Sequence, residues 1–165
     1  MHIEVVKAEL SEAERLRTLR LTALDNAPYA FGAKHQDELL IPLSSWQDRL
    51  KNTYWCFVTA DGKDIGLLAV DKAEKDRKSD CWISSWWISE EYRGKGIPKL
   101  MLDWVDALCG ENNWRKMGLG VWPENTRAIS AYIKLGFVAG SEPMPSRSVP
   151  GLMYLPMFKD VGSKI

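Results

Sequence analysis

The sequence predicts an α+β chain with a mixed, mostly antiparallel seven-stranded sheet flanked by helices. Three observations carry that expectation. The β-rich runs "TYWCFVTA" and "KDIGLLAVDK" flank Asp61-Gly62, a pair suited to the positive φ angles of a tight hairpin turn. A third run, "CWISSWWIS", follows without an intervening helix, so strands and helices do not alternate strictly as they would in a doubly wound parallel sheet. Helical and strand-like segments then alternate to the end of the chain.

Taken in order, His2 to Lys7 alternates and reads as a strand. Ser11 with Glu14 forms a capping-box pattern ahead of a helix whose Leu16, Leu19, Ala23 and Leu24 share one face. Asp25 to Pro42 holds two prolines and a glycine among apolar residues without period, which predicts a loop or broken helix bearing partly exposed aromatics. A short helix follows Ser44 or Ser45 and buries Trp46 and Leu50. After the hairpin, the charged loop "DKAEKDRKSD" leads to the third strand. The next helix turns Leu100, Met101, Trp104, Val105 and Leu108 inward and Asp103 and Asp106 outward, with Gly110 as its stop. "KMGLGVW" is a strand; Asn125 caps a last helix through Leu135, closed by Gly136; Phe137 onward and "GLMYLPMF" supply two closing strands.

Length favours a single domain over residues 1–165, because domains most often run about 100–150 residues. The 22 basic and 22 acidic residues cancel, so no global field recruits nucleic acid or an anionic membrane. No stretch approaches the roughly 20 apolar residues of a membrane span, and the first residues alternate where a signal peptide would be apolar, which makes the cytoplasm the expected location. Cys56, Cys81 and Cys109 are odd in number and widely spaced, against both a disulfide framework and a zinc site. They read as reduced, mostly buried thiols, and no metal is expected.

Two segments carry chemistry. In "YRGKGIPKLM" a strand, then Arg93-Gly94-Lys95-Gly96, then a helix reproduce the arrangement in which unpaired backbone N–H groups and the helix dipole face an anion. Arg93, Lys95 and Lys99 add charge, and the pattern suits a pyrophosphate. Glycines and basic residues also build ordinary solvated turns. The dinucleotide fingerprint fails for want of a third glycine, and the phosphate loop of nucleotide hydrolases fails for want of a Gly-Lys-Ser/Thr ending. The second segment is "NTRAISAYIKLGF", where Ala128, Tyr132 and Leu135 share a face and Tyr132 is its only hydroxyl. Alone, such a tyrosine is an amphipathic core residue.

Together the two segments resemble the GNAT-type N-acetyltransferase superfamily. Its loop, Arg/Gln-x-x-Gly-x-Gly/Ala, cradles the pyrophosphate of acetyl-CoA after the fourth strand, and "RGKGIP" matches it at Arg93 and Gly96. Its later segment, Asn-x-x-Ala-x-x-x-Tyr-x-x-x-Gly-Phe, is matched without gap by Asn125, Ala128, Tyr132, Gly136 and Phe137. "LRLTALDNAPYAFG" is similar to the first-helix segment of many bacterial members. The departure is Pro98, where the family has a small residue.

The resemblance implies acetyl-CoA as co-substrate, held by Trp86, Trp87 and Ile88 through main chain and by Arg93, Gly94, Lys95, Gly96, Ile97, Pro98, Lys99, Asn125 and Tyr132. The strands "SSWWIS" and "GLGVW" would splay, the backbone N–H near Ile88 would donate to the thioester oxygen, and Tyr132 would protonate the departing thiolate. The acceptor is a small-molecule or peptide amine. His35, Asp37, Glu38 and Glu124 are placed to take its proton, Glu38 ahead of the others. Tyr29, Phe31, Trp82 and Trp122, with residues of "SEPMPSRSVPGL", are assigned to the acceptor pocket. Dimerisation is common in that family, and no sequence patch marks an interface. Two other classes stay open: a non-catalytic CoA-binding sensor or interaction domain of the same fold, and a nucleotide-binding module resting on the glycine loop alone.

Overall fold

The computed structural model describes residues 1–163. Strands β1 (Ile3–Lys7), β2 (Tyr54–Ala60), β3 (Lys63–Lys72), β4 (Cys81–Ile88), β5 (Lys116–Val121), β6 (Val138–Ala139), β7 (Met144–Pro145) and β8 (Met153–Asp160) are interspersed with five helices. These are α1 (Ala13–Asn26), α2 (His35–Leu39), α3 (Leu43–Asn52), α4 (Ile97–Asn112) and α5 (Thr126–Lys134). The sheet order is β1-β2-β3-β4-β5-β8-β6, with β7 paired to β8. The sheet is mixed, since β4 and β5 run parallel while β1–β2, β2–β3 and β8 with each of its partners are antiparallel. The seven expected strands are present, and among the described residues an eighth joins them. The extra one is Met144–Pro145, two residues too few to show any alternation, and it exists only because Tyr154 and Met153 stand opposite.

The described residues form two compact units that interleave along the chain, one comprising Met1–Asp71 with Ser85–Met101 and the other Lys72–Ser84 with the chain from Leu102 onward. Both β4 and α4 contribute to each.

The first unit has a hydrophobic core. Leu16, Leu19 and Ala23 of α1 and Trp46 and Leu50 of α3 pack over Trp55, Phe57, Leu67, Ala69 and Trp87. Burying large aromatic and branched side chains stabilises by roughly 1.5–3 kcal/mol each relative to exposure. The hairpin turns at Asp61 (φ 48°) and Gly62 (φ 83°), the two positive angles that an Asp-Gly pair accommodates. Gly66 is fixed by contact: a Cβ there would stand 2.7 Å from the carbonyl oxygen of Trp87. Helix α1 starts one residue later than its capping-box pattern implies. Glu12 is the N-cap residue, without a side-chain cap bond, and its carboxylate instead accepts from Glu9 N at 2.8 Å and pairs with Arg15 at 2.7 Å.

In the second unit β8 is the central strand, registered with β5 from Lys116–Asp160 to Val121–Leu155 and with β6 and β7 on its other pairings. Met117, Leu119, Val121, Phe137, Tyr154 and Met157 are buried there. Cys81 and Cys109 are free, buried thiols, as is Cys56 of the first unit.

Helix α4 corrects two expectations. Its buried stripe is Ile97, Met101, Leu102, Val105, Leu108 and Cys109, whereas Leu100 is 44% exposed, one position off the stripe. Gly110 does not end it. The helix continues to Asn112 and stops at Asn113, which takes the left-handed φ of 58° that asparagine tolerates. Likewise α5 ends at Lys134, with Leu135 as its C-cap and Gly136 (φ 98°) beyond.

Candidate active site

At the start of β4, Cys81, Trp82 and Ile83 pair in parallel with Met117, Gly118 and Leu119. Ser85 then takes a φ of 54°, rare for a residue with a side chain and a mark of backbone strain. Beyond that kink Trp86 is half-buried, with its indole N–H donating to the Met101 sulfur at 3.3 Å, while Trp87 and Ile88 are buried.

The strand leads through a 3-10 turn at Glu90–Tyr92 into the glycine loop. Gly94 (φ 75°) and Gly96 (φ 76°) both take left-handed angles, and no atom beyond the adjoining residues lies within 4 Å of where either Cβ would be. The glycines are therefore needed for backbone shape, not for space. Arg93 folds back, its Nε donating to the carbonyl of Ile88 at 3.2 Å, which ties the loop to the end of β4. Lys95 extends along the Tyr92 ring at 6.0 Å. Helix α4 begins at Ile97, so Pro98 sits in its first turn, where the fixed φ fits and the missing N–H removes no intrahelical bond. Ile97 is fully buried and anchors the turn; Gly94, Lys95, Gly96 and Lys99 are exposed.

The same unit contains the segment after α1. Tyr29 is 66% exposed, whereas Phe31 is half-buried with its ring 4.9 Å from the Arg20 guanidinium carbon. Glu38, on α2, is buried, and its two oxygens accept from Arg49 Nη1 and Nη2 at 3.1 and 2.8 Å. His35 and Asp37 lie on α2 as well, half-buried and exposed respectively. Arg20 sits four residues after Leu16 and four before Leu24, inside the apolar stripe of α1, and is buried beside Glu38 at 3.6 Å.

In the second unit Asn125 caps α5, its carboxamide oxygen accepting from Ala128 N at 3.2 Å. Its geometry serves the start of the helix. Tyr132, on the second turn, packs edge-on to Phe137 at 5.9 Å. Desolvation of its hydroxyl pushes the pKa up to about 12, so the phenol keeps its proton throughout the physiological range. Trp82 is buried against Tyr154 at 5.9 Å and lies under the Arg77 guanidinium at 4.2 Å, a covered position. Trp122 is half-buried just past β5, and Glu124 is exposed. No helix among the described residues is long and apolar enough to cross a membrane.

Residues 13–137 match the family model described as "Acetyltransferase (GNAT) family". Among curated proteins the chain is similar to an uncharacterized N-acetyltransferase, YdgE, of Bacillus subtilis (strain 168), at 26% identity over 100 residues. That alignment covers 61% of this chain and 62% of the relative's length. Among solved structures it is similar to an acetyltransferase of the GNAT family from Streptococcus pneumoniae (TM-score 0.75, 19% identity, covering 98% of this chain and 100% of that one). It is also similar to the spermidine N-acetyltransferase of Vibrio cholerae in complex with CoA and spermine (TM-score 0.70, 18% identity, covering 96% and 95%). With the family model spanning most of the chain and the strand, glycine-loop and helix order in place, this chain belongs to the GNAT acetyltransferase family.

Proposed function

We propose that the protein transfers the acetyl group of acetyl-CoA to the primary amine of a small molecule or peptide by direct attack. The observation that carries this is the run from Ser85 to Lys99, where a kinked strand end is followed by two left-handed glycines and the N-terminus of α4. In this reading the pyrophosphate binds at the loop and at the first turn of α4, where N–H groups of Lys95, Gly96 and Ile97 and the charges of Lys95 and Lys99 favour an anion. Pro98 offers no N–H, and its neighbours carry the contact. Arg93 shapes the loop through Ile88 and contributes field rather than a direct bond. The pantetheine arm follows β4 along Trp86 to Ile88.

The bound co-substrate supplies the thioester. The residues then have these roles: the Ile88 N–H stabilises the developing oxyanion, and the Tyr132 phenol donates a proton to the departing sulfur. Desolvation of Tyr132 keeps the phenol protonated at neutral pH, which a proton donor requires. Because both oxygens of Glu38 are engaged by Arg49, our reading gives Glu38 a positioning role and leaves proton removal from the ammonium to solvent at the site. Tyr29 and Phe31 line the acceptor side; Trp82 and Trp122 take part in packing around the second unit's strands.

Thermal shift with acetyl-CoA, CoA, NAD and ATP, followed by thiol release across an amine panel, tests the proposal. Stabilisation by acetyl-CoA and CoA with acceptor-dependent thiol release is expected. Preference for NAD or ATP would overturn it, and cofactor binding without release to any amine would make the protein a CoA-binding sensor.

A further inference from the structure

Beyond acetyl transfer, we propose that Cys81 and Cys109 form a modification site, at which a peroxide joins the two thiols in a disulfide that staples the start of β4 to the last turn of α4. Both residues belong to the second unit, and their sulfurs stand 3.6 Å apart with one thiol donating to the other. A disulfide bond is about 2.05 Å long, so the sulfurs close by roughly 1.5 Å, which side-chain rotation and a small shift of the helix end supply. The third cysteine differs. Cys56 lies in the first unit, where desolvation pushes its pKa up to about 12, and it stays a thiol. In the pair, the hydrogen bond from Cys81 lowers the Cys109 pKa, against burial and the carboxylates of Asp106 and Asp80, while the same bond and burial raise that of Cys81. Cys109 is therefore the thiol that ionises first.

Access comes through the end of α4. Cys109 is buried, but Gly110 follows it directly, and Gly110, Glu111 and Asn113 are exposed. Glycine weakens a helix relative to alanine, and terminal turns open at the lowest cost in a fold, so the last turn admits a molecule as small as hydrogen peroxide. Cys81 is held still, paired with Met117 across the sheet and with its carbonyl accepting from Ser79 Oγ at 3.1 Å. The Cys109 thiolate attacks a peroxide oxygen, the O–O bond breaks, and Cys109 becomes a sulfenic acid as water leaves. The Cys81 sulfur then attacks the Cys109 sulfur; the S–S bond forms, the S–O bond breaks, and the hydroxyl leaves as a second water with the Cys81 proton. Two thiols lose two electrons and one peroxide gains them. The bond closes a ring between residues 28 positions apart, which contains the whole run from Ser85 to Lys99, and a ring of that size removes freedom from the unfolded chain.

The test needs only the wild-type protein, treated with hydrogen peroxide under native conditions, alkylated after denaturation, and mapped by peptide mass with and without dithiothreitol. Free thiols should fall from three to one, and a peptide pair joined through Cys81 and Cys109 should appear and vanish on reduction. While the bond is in place the melting temperature should rise by at least about 5 °C. Loss of no thiol, a bridge through Cys56 or between chains, or Cys109 carried on to the sulfinic acid with no bridge would each overturn the proposal. So would a bridged protein that melts no higher than the reduced one. Cys56→Ser should leave the bridge unchanged, whereas Cys81→Ser should hold Cys109 at the sulfenic acid, which dimedone traps. Thiol release from acetyl-CoA is measured on the reduced protein, so failure of the bridge leaves acetyl transfer standing, and failure of acetyl transfer leaves the bridge.

Discussion

Helices α4 and α5 both begin with backbone N–H groups that have no partner inside the helix, and they treat those groups differently. Before α5 stands Asn125, whose carboxamide accepts from Ala128 N at 3.2 Å, so the helix satisfies itself. Before α4 stands Gly96, which has no side chain to offer, and Pro98 removes one of the donors altogether. An internally capped end is a structural joint. An end entered through two left-handed glycines, with Lys95 and Lys99 beside it, leaves its field available to an outside anion. The contrast separates two segments that family resemblance groups together: Asn125 caps its own helix, whereas the glycine loop is the proposed seat of the pyrophosphate.

Substitutions on either side test that separation. The largest effect is expected at Tyr132, which rides on the self-capped helix and is the proposed proton donor: Tyr132→Phe should lower kcat by about a hundredfold or more while the acetyl-CoA dissociation constant changes less than about threefold. Wild-type turnover in that variant would remove the phenol from the mechanism. The raised pKa adds a pH test. Because the unfolded chain releases this proton near 10 and the folded protein near 12, the Tyr132 contribution to stability is complete below pH 10 and declines as pH rises from 10 to 12. Tyr132→Phe should flatten that part of the stability curve.

Next in size, Gly96→Ala should weaken acetyl-CoA binding by about tenfold, since a Cβ at a φ of 76° costs roughly 1–2 kcal/mol with no steric clash to blame. Unchanged affinity would show that the loop tolerates another shape. Asn125→Ala should cost about 1 kcal/mol of stability, lowering the melting temperature by roughly 2–4 °C, with acetyl-CoA affinity held. A large affinity loss there would bring Asn125 back as a cofactor ligand. The smallest change is Pro98→Gly, for which binding should be intact or slightly tighter; a marked loss would mean the proline shapes the cradle.

What could be read from sequence follows the range of the interaction that decides it. Asp61-Gly62 needs only its own backbone angles, and Asn125 needs only the amide three residues on; both are local, and both stand as expected. Trp46 and Leu50 follow helical period. Where local signals compete, the pattern misleads. Ser11 and Glu14 make a plausible box, yet Glu12 takes the N-cap position and pairs with Arg15, which Asp64 holds from across the unit at 2.6 Å. Gly110 has the composition of a stop, but a glycine inside a helix costs only about 1 kcal/mol, and Asn113 can end the turn instead.

The sequence by itself determined the order of elements, the hairpin, the helix caps that depend on one side chain, and the two motifs that point to an acetyl-CoA enzyme. Tertiary structure alone decided the rest. The kink at Ser85 arises in a strand that looks regular, Arg93 turns back to Ile88, and Glu38 is engaged by Arg49 while Arg20 is left with unfilled donors. The physical reason is that a charge's role depends on its partners and its burial, and for Glu38 both partners come from other helices, Arg49 and Arg20.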